Sequence, residues 1–262
     1  MDYLNFHDYG LRQGVRVIHR FIGGSQLHGA KLEGTDDTDW YGVFVEPPEL
    51  SLGLVQYPHF VCSTGNPATT NTAADIDICM YSLKKWAGLA VKGNPSVLHF
   101  LFAPSNPCHF TWAKMCVNKH LFLASSHAQA FLGYAEAQAH KLFNKKPLDT
   151  NRSRLVEEHG YDTKYAMHMI RLVQEGCELM ETGHITLPRP NREFLIDIRR
   201  GRFNLPELEE QYAGAVEALR WAEHESPLPD RVDLDEVSKF VSQMYLENWM
   251  WHRTKKFSWE EK

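Results

Sequence analysis

The sequence predicts an α+β fold in which a small mixed sheet is followed by a helical C-terminal part. Short β-branched and aromatic runs that end at glycine or proline indicate strands at residues 15–22, 40–46 and 75–81. Alanine-rich segments with helical periodicity come later, at about residues 127–143, 161–181 and 231–250. The change of character predicts one unit over residues 1–105 and a helical unit over residues 106–262.

Local signals define the elements of the first unit. The strand at 15–22 runs into Gly23-Gly24, which indicates a tight turn, and we expect a short helix at Gln26 to Lys31. Ser82 is a typical N-cap for a helix whose apolar residues recur at helical spacing. Gly93-Asn94-Pro95 predicts the end of that helix.

Composition excludes several classes of protein. A net charge of −5 argues against a generally basic coat for nucleic acid, although it leaves room for a local basic groove. No apolar run approaches the roughly 18–20 residues that span a bilayer, and the N-terminus lacks the features of a signal peptide. We therefore expect a cytoplasmic protein without a membrane partner.

Two acids, Asp37 and Asp39, stand one residue apart where the second strand begins. Residues two apart on a strand point to the same face, and the third strand offers Asp75 or Asp77 in the same direction. Three carboxylates at one place suit Mg²⁺ or Mn²⁺ and the chemistry of phosphoryl transfer. The alternative is that Asp36 joins Asp37 and Asp39 in a solvated acidic turn.

A turn of glycine and serine precedes these acids. Gly24 and Ser25 follow the first strand and would offer backbone N–H groups and a hydroxyl to the phosphates of a nucleotide. Glycine suits this position because a side chain would keep the phosphates away. His28, close by, would contact phosphate or, alternatively, pack in the turn.

Together these motifs resemble the DNA polymerase β nucleotidyltransferase superfamily, and more narrowly the predicted nucleotidyltransferases of RNA-repair pathways found in bacteria and phages. The likeness extends over roughly residues 15–205. Its first half is carried by Gly24-Ser25 with His28-Gly29, Asp37 to Val43, Asp77, Tyr81 to Trp86 and Lys92 to Pro95. Its second half is carried by Gly133 to Ala135 with Gln138, Lys164 to His168 with Arg171-Leu172, Thr182-Gly183 with Leu187-Pro188, and Ile198-Arg199 with Gly201.

The resemblance implies a nucleotidyltransferase core at residues 1–105 and a helical part at 106–262 that binds nucleotide and substrate. Asp37, Asp39 and Asp77 would hold the metal ions as catalytic residues, and Gly24 and Ser25 would bind the nucleotide phosphates. Asp75 competes with Asp77 for the third position, and we choose Asp77 from its spacing to Tyr81.

The second half of the chain carries two basic features. Lys164, His168 and Arg171 recur at i, i+4 and i+7 and form a polar stripe on one helix, a candidate contact for a triphosphate or an RNA backbone. Alternatively, the stripe is a solvated face on which Glu175 and Glu178 are ion-pair partners. Five further arginines form a cluster, from which we choose Arg199 as a nucleotide ligand: Arg189, Arg192, Arg199, Arg200 and Arg202.

The predicted function is Mg²⁺-dependent transfer of a nucleoside monophosphate from a nucleoside triphosphate, ATP foremost, to an acceptor hydroxyl, with release of pyrophosphate. The expected acceptor is an RNA end. Tyr134 and Gln138, one helical turn apart, would contact a base or the acceptor, or Tyr134 packs in the core. The alternatives are nucleotidylation of a protein or a small molecule, and a noncatalytic module that binds nucleotide or RNA.

Overall fold

The structure is a computed structural model that describes residues 4–32, 37–65, 72, 74–104, 109–144 and 150–257. Within these residues, four strands form one sheet in the order β1-β2-β4-β3. The strands are β1 (Arg16–Ile22), β2 (Thr38–Val45), β3 (His59–Ser63) and β4 (Ile76–Ser82). β1 pairs antiparallel with β2, β2 parallel with β4, and β3 antiparallel with β4, so the sheet is mixed as predicted.

Three of the strands lie close to the predicted ranges, but β3 was not predicted. Its five residues contain a histidine, a cysteine and a serine, and they follow Pro58 directly. In the structure β3 is an edge strand with His59, Val61 and Ser63 exposed. An edge strand needs only one neighbour and little burial, so its sequence carries a weak strand pattern.

Helices make up most of the rest of the chain. In the first half they are α1 (Gly24–Leu27), α2 (Pro48–Ser51), α3 (Leu83–Ala90), α4 (Pro95–Leu98) and α5 (Phe110–Val117). In the second half they are α6 (His127–Asn144), α7 (Thr150–His159), α8 (Thr163–Thr182), α9 (Arg192–Arg199), α10 (Leu205–His224) and α11 (Leu234–Phe257). Short 3-10 segments occur at Phe6–Tyr9, His99–Leu101 and Lys119–Phe122.

The predicted helices agree with the structure in kind but not everywhere in extent. The Ser82 hydroxyl accepts a hydrogen bond from the Lys85 backbone N–H at 3.2 Å, which confirms the N-cap of α3. The helix expected at Gln26–Lys31 was wrong, because α1 is one turn that begins at Gly24 and ends at Leu27. Gly29, with φ of 71°, takes a left-handed conformation that does not continue a helix.

The long helix α10 was missed although its start carries a recognisable signal. The Asn204 side chain accepts a hydrogen bond from the Glu207 backbone N–H, and the Glu207 carboxylate accepts one from the Asn204 backbone N–H. This reciprocal pair is a capping box. Its apolar face is narrow, with Leu208, Leu219 and Ala222 buried, so periodicity alone gave little contrast.

One hydrophobic cluster runs from the sheet into the helical part. It includes Phe21 of β1, Trp86 of α3, Phe131 of α6 and Val173 of α8. Phe131 and Val173 are completely buried, so α6 and α8 form the centre of the helical part. The cluster includes described residues on both sides of the predicted boundary, Ala103 before it and Trp112 after it, and the division into two units stays a prediction.

No helix in the described part of the chain is long and apolar enough to cross a membrane.

Candidate active site: acids, a glycine turn and a buried carboxylate

The predicted catalytic acids lie at one end of the sheet. Asp39 of β2 and Asp77 of β4 are direct partners in the parallel register. Partners on neighbouring strands are about 4.8 Å apart and point to the same face, so the two side chains project together. The Asp39 carbonyl also accepts a hydrogen bond from the Gly23 N–H at 2.8 Å, which brings the glycine turn beside the acids.

Gly24 makes this close approach possible. Its φ of 57° lies in the left-handed region, and a Cβ atom added there would stand 2.0 Å from Oδ2 of Asp39. Any side chain would therefore displace the Asp39 carboxylate or the turn. The contact with Asp39 thus gives glycine a reason at this position that the sequence did not suggest, and the binding of phosphates by Gly24 stays a prediction.

The third acid is distinguished from its competitor by its surroundings. The Asp75 carboxylate accepts from the Thr72 backbone N–H at 2.6 Å and the Thr72 hydroxyl at 2.9 Å, and these bonds lower the pKa of Asp75. Asp75 therefore closes the turn before β4, whereas Asp77 lies on the strand beside Asp39. This arrangement supports the choice of Asp77.

Asp37 precedes β2 by one residue, on the same side of the chain as Asp39 by strand periodicity. Burial, and after it the charges of Asp39, Cys79, Asp77 and Asp37, raises the pKa of the Tyr41 hydroxyl. All three predicted acids are therefore close enough to Tyr41 to act electrostatically on its hydroxyl. Asp36, the further member of the alternative acidic turn, lies outside the described residues.

A cavity of about 230 Å³ opens next to the glycine turn, between the sheet and the helical part. Five of the predicted nucleotide-binding residues line it, and two further residues that the sequence singled out join them: Gly24, Ser25, His28, His168, Arg171, Tyr134 and Gln138. Phe21, Tyr41 and Phe100 supply aromatic surface to the same cavity. The structure thus brings residues more than 100 positions apart in the sequence to one pocket.

Two predicted ligands lie elsewhere. Lys164 is half-buried near the start of α8 and is not among the residues that line the cavity. Arg199 is 4% exposed, and its Nη1 donates to the Ala30 carbonyl at 2.6 Å. The side chain of Arg199 therefore fastens the segment after the glycine turn to α9.

The loop before α9 holds the same segment. The Arg189 backbone N–H donates to the His28 carbonyl at 3.1 Å, and the Arg189 guanidinium pairs with Glu178. Arg192 packs against Gly29, where an added Cβ would stand 3.1 Å from its Cδ atom. At least these members of the arginine cluster attach the glycine turn to the helical part.

A buried carboxylate forms the innermost part of the site. Glu175 of α8 is 0% exposed, and His28 Nδ1 and His99 Nε2 each lie 3.0 Å from one of its two oxygens. Arg171 Nη1 lies 3.0 Å from Oε1 and 2.8 Å from Oε2. We call these four residues the Glu175 quartet.

The quartet has a defined protonation state. Burial alone would raise the pKa of Glu175, but the charge of Arg171, followed by His99 and by the hydrogen bond from His28, outweighs burial and holds the pKa well below its usual range. Burial, and then Arg171, lowers the pKa of His28 to about 3, so His28 is neutral at pH 7. Because a carboxylate only accepts, His28 carries its proton on Nδ1, and its Nε2 accepts from Arg171 Nη1 at 3.0 Å.

Both ring nitrogens of His28 are therefore engaged within the quartet. This favours the packing alternative for His28 over direct contact with phosphate, although the residue lines the cavity. The stripe of Lys164, His168 and Arg171 was expected either to bind an anionic ligand along its length or to be a solvated face, and the structure differs from both. Arg171 and Glu175 form the i, i+4 ion pair of the alternative, but Glu175 is completely buried and Arg171 is 8% exposed, so this part is not a solvated face.

His28, His99 and Glu175 also have the composition of a metal site, since one ligand atom of each lies within 4.8 Å of the others. The guanidinium of Arg171, however, already lies within 3.0 Å of both carboxylate oxygens. A divalent ion bound there would meet a fixed positive charge at contact distance. We therefore assign the cation position in this quartet to Arg171.

Sequence reasoning missed His99 as a site residue and considered Glu175 only as a surface ion-pair partner. A signal for Glu175 was present, because Arg171 and Glu175 stand four residues apart on a helix whose other residues there are largely apolar. His99 gave no local signal, since it follows Val97 and Leu98 in a short apolar segment. Only the packing of that segment against α8 brings it to Glu175.

Comparison with known proteins defines the class. A model of a DNA polymerase β family matches residues 4–242, so the chain has a polymerase β-like nucleotidyltransferase core and the fold class is as predicted. Because the match covers most of the sequence, the chain belongs to that family, the RNA repair pathway DNA polymerase beta family, RlaP. The resemblance drawn from the sequence is thereby confirmed.

Two individual proteins are also similar. An uncharacterized 38.9 kDa protein of Enterobacteria phage T4, from the nrdC-mobD intergenic region, is 31% identical over 133 residues. The match covers 48% of this chain and only 39% of the phage protein. A nucleotidyltransferase-like protein of Exiguobacterium sibiricum matches 84% of this chain and 72% of its own, with 9% identity and a TM-score of 0.30.

Proposed function

We infer that the protein is a Mg²⁺-dependent nucleotidyltransferase that transfers a nucleoside monophosphate from a nucleoside triphosphate to an acceptor hydroxyl. One observation carries the proposal: Asp39 and Asp77 are register partners, and Asp39 lies against Gly24, which lines the same cavity as Arg171. Acids that face a cationic cavity across a glycine turn suit a substrate that is both metal-bound and polyanionic.

The acidic residues fit a hard divalent cation. Asp37, Asp39 and Asp77 offer carboxylate oxygens, which Mg²⁺ and Mn²⁺ prefer, and Gly24 leaves the Oδ2 atom of Asp39 unobstructed by any side chain of its own. When bound there, Mg²⁺ would neutralise phosphate charge and lower the pKa of a coordinated hydroxyl. Without a cation, three neighbouring carboxylates repel one another, so the arrangement has a physical cost that metal binding removes.

Different residues of the chain bind the phosphates, supply positive charge and accept the proton. Ser25 and the main chain of the glycine turn bind the phosphates, and Arg171 supplies a fixed positive charge deeper in the cavity. His168, half-buried on the same helix face, lines the cavity one turn earlier on α8. Asp77 lies nearest to the acceptor hydroxyl in this proposal and accepts its proton as the hydroxyl attacks the α-phosphate.

We propose an RNA end as the acceptor. The family description, RNA repair pathway, supports this choice, and the exposed Tyr134 at the cavity offers an aromatic ring for stacking a base. ATP is the expected nucleotide, and the cytoplasm is the expected location. The chain spans about two fifths of the phage protein it matches, so the activity of whole relatives is part of the proposal.

The test is pyrophosphate release from each of the four nucleoside triphosphates with Mg²⁺, with and without an RNA that has a free 3′-hydroxyl. We expect release that requires RNA and is lost in the Asp37→Ala/Asp39→Ala double variant. The melting temperature of the double variant, and its binding of nucleotide without Mg²⁺, show whether the variant is folded.

Other results would contradict parts of this proposal. Release that needs a protein or a small hydroxyl compound in place of RNA would change the acceptor. Nucleotide-induced stabilisation with no release under any condition would instead identify a noncatalytic binding module.

A further inference from the structure

Glu175 is an unusual residue for its surroundings, because a negative charge lies where α8 packs on the glycine turn and on the His99–Leu101 segment. It is completely buried, and burying a carboxylate costs several kcal/mol unless it is paired and hydrogen-bonded. Both of its oxygens are satisfied within 3.0 Å by groups from three separate segments. An apolar residue of similar volume would avoid that cost, so the charge needs an explanation beyond packing.

Arg171 provides the first part of that explanation. All its hydrogen bonds to described residues are made by Nη1, which contacts Glu175 and His28. Among the residues that the structure describes, Nε has no hydrogen-bond partner although it is buried, and Nη2 makes no hydrogen bond. A guanidinium held at one nitrogen, nine-tenths buried and lining the cavity retains its other donors for a ligand.

His28 provides the second part. It belongs to the segment that begins with Gly24 and Ser25, and its Nδ1 proton is donated to Glu175 at 3.0 Å. The same carboxylate therefore fixes both the arginine of the helical part and the turn of the sheet part. His99 Nε2, bonded to the other oxygen at 3.0 Å, keeps the carboxylate from rotating away.

We propose that Glu175 is a positioning residue for the nucleotide's phosphates: it holds Arg171 and the His28 turn in the relative arrangement that binds the triphosphate tail. The inference rests on the proposed function, since it concerns the same cavity and the same substrate class. Glu175 itself touches no substrate and acts through Arg171 and His28. Its effect is therefore on the binding of the phosphates beyond the first and not on the acids that carry out the chemistry.

The experiment compares a nucleoside monophosphate with the triphosphate of the same base, in the presence of Mg²⁺, by isothermal titration calorimetry. The base is the one whose triphosphate binds the unaltered protein most tightly. We expect Glu175→Gln to lower the ratio of triphosphate to monophosphate affinity by about 10- to 100-fold, the range for a charge-assisted hydrogen bond. The monophosphate affinity should stay within about threefold.

Glu178→Gln is the matched control, because it removes the same charge less than one turn further along α8. Glu178 pairs with Arg189 and does not line the cavity. We expect this variant to lose stability but to keep the affinity ratio within about twofold. A purely structural role of Glu175 would instead weaken both nucleotides alike, or make the two variants behave in the same way.

A second variant covers the case in which Glu175→Gln does not fold. His99→Phe leaves the pair of Arg171 and Glu175 intact and removes one donor to the carboxylate, because a phenyl ring has no N–H group. We expect a loss of about threefold to tenfold in the ratio. An unchanged ratio in the folded variants would overturn the positioning role. Absence of any nucleotide binding to the unaltered protein would instead overturn the proposed function, so the two failures are distinct.

Discussion

Two regions of this molecule hold carboxylates beside the same cavity, and they hold them in opposite ways. Asp39 and Asp77 are aligned by the backbone, because their strands pair in parallel register. Glu175 is fixed by side chains: Arg171 lies one turn earlier on the same helix, and His28, His99 and Arg189 come from other segments. The first arrangement depends on strand register, whereas the second depends on ion pairs and hydrogen bonds between buried side chains.

The contrast predicts opposite consequences for activity and stability. Acids placed by the backbone can be neutralised without loss of fold, since the strand register does not depend on their charge. A carboxylate at the centre of a buried network cannot be neutralised without loss of stability, because its partners would be left unpaired.

The largest expected effect is on turnover at the sheet acids. Asp39→Asn should reduce nucleotide transfer by about 10³-fold or more, because it removes charge at the proposed metal site. Its free energy of unfolding should change by less than about 1 kcal/mol. Steady-state pyrophosphate release and urea unfolding measure the two quantities.

Asp75→Asn is the matched control, since Asp75 lies just before the same strand as Asp77 but is bonded to Thr72. Activity within about fivefold of the unaltered protein is expected, because a carboxylate that only closes a turn is remote from the chemistry. Equal losses for Asp75→Asn and Asp77→Asn would contradict the choice of the third acid.

The next effect is on stability at the buried carboxylate. Glu175→Leu should lower the free energy of unfolding by about 3–5 kcal/mol, because it leaves the buried guanidinium of Arg171 without its anion. Chemical denaturation gives this value directly. A double-variant cycle with Arg171→Met should recover part of the loss, and a stable Glu175→Leu single variant would show that the quartet is not a structural centre.

A smaller effect tests how the two regions meet. Gly24→Ala should cost about 1–2 kcal/mol of stability for the left-handed backbone and reduce activity by about 10²-fold by moving Asp39. Gly88→Ala is the control, because Gly88 lies in α3 with nothing within 4 Å of an added Cβ. It should stabilise the protein by up to about 1 kcal/mol without loss of activity, and a comparable loss at both positions would refute the steric argument.

The mildest test uses pH. Burial lowers the pKa of both His19 and His28 from 6.5 to about 3. Between pH 6.5 and pH 3 the unfolded chain binds protons at these histidines and the folded protein does not. The free energy of unfolding should therefore fall as pH decreases from about 6.5, by up to about 1.4 kcal/mol per pH unit for each histidine. Urea unfolding at pH 7, 6 and 5 measures the slope above the range in which carboxylates titrate.

His19→Phe separates the two histidines, because His19 stacks on Trp112 at 4.3 Å and a phenyl ring retains that contact. The variant should lose the share of the slope that belongs to His19, up to about 1.4 kcal/mol per pH unit. The contributions of His28 and of His109, His127 and His184, whose pKa values burial also lowers, should remain. A slope that does not change would mean that His19 is not excluded from protonation in the folded protein.

Much of the sheet end could be predicted from local sequence. Asp37 and Asp39 stand at strand spacing, Gly24 and Ser25 follow a strand, and both patterns depend only on short-range backbone geometry. The capped start of α3 and the positions of α6, α8 and α11 followed from cap residues and periodicity for the same reason. The short edge strand β3 was not predicted, because three of its five residues are exposed and its pattern is weak.

The sequence by itself determined the class of fold, the acids and the glycine turn, since backbone periodicity and turn chemistry act between residues close in the chain. Only the tertiary structure decided which acid pairs with Asp39, because strand register depends on partners far apart in sequence. It also decided that Arg171 joins Glu175, His28 and His99 inside the protein while Arg199 holds Ala30. The i, i+4 spacing indicated the pair of Arg171 and Glu175, but a buried charge also needs neighbours that folding brings into contact, and no local pattern specified His28 and His99.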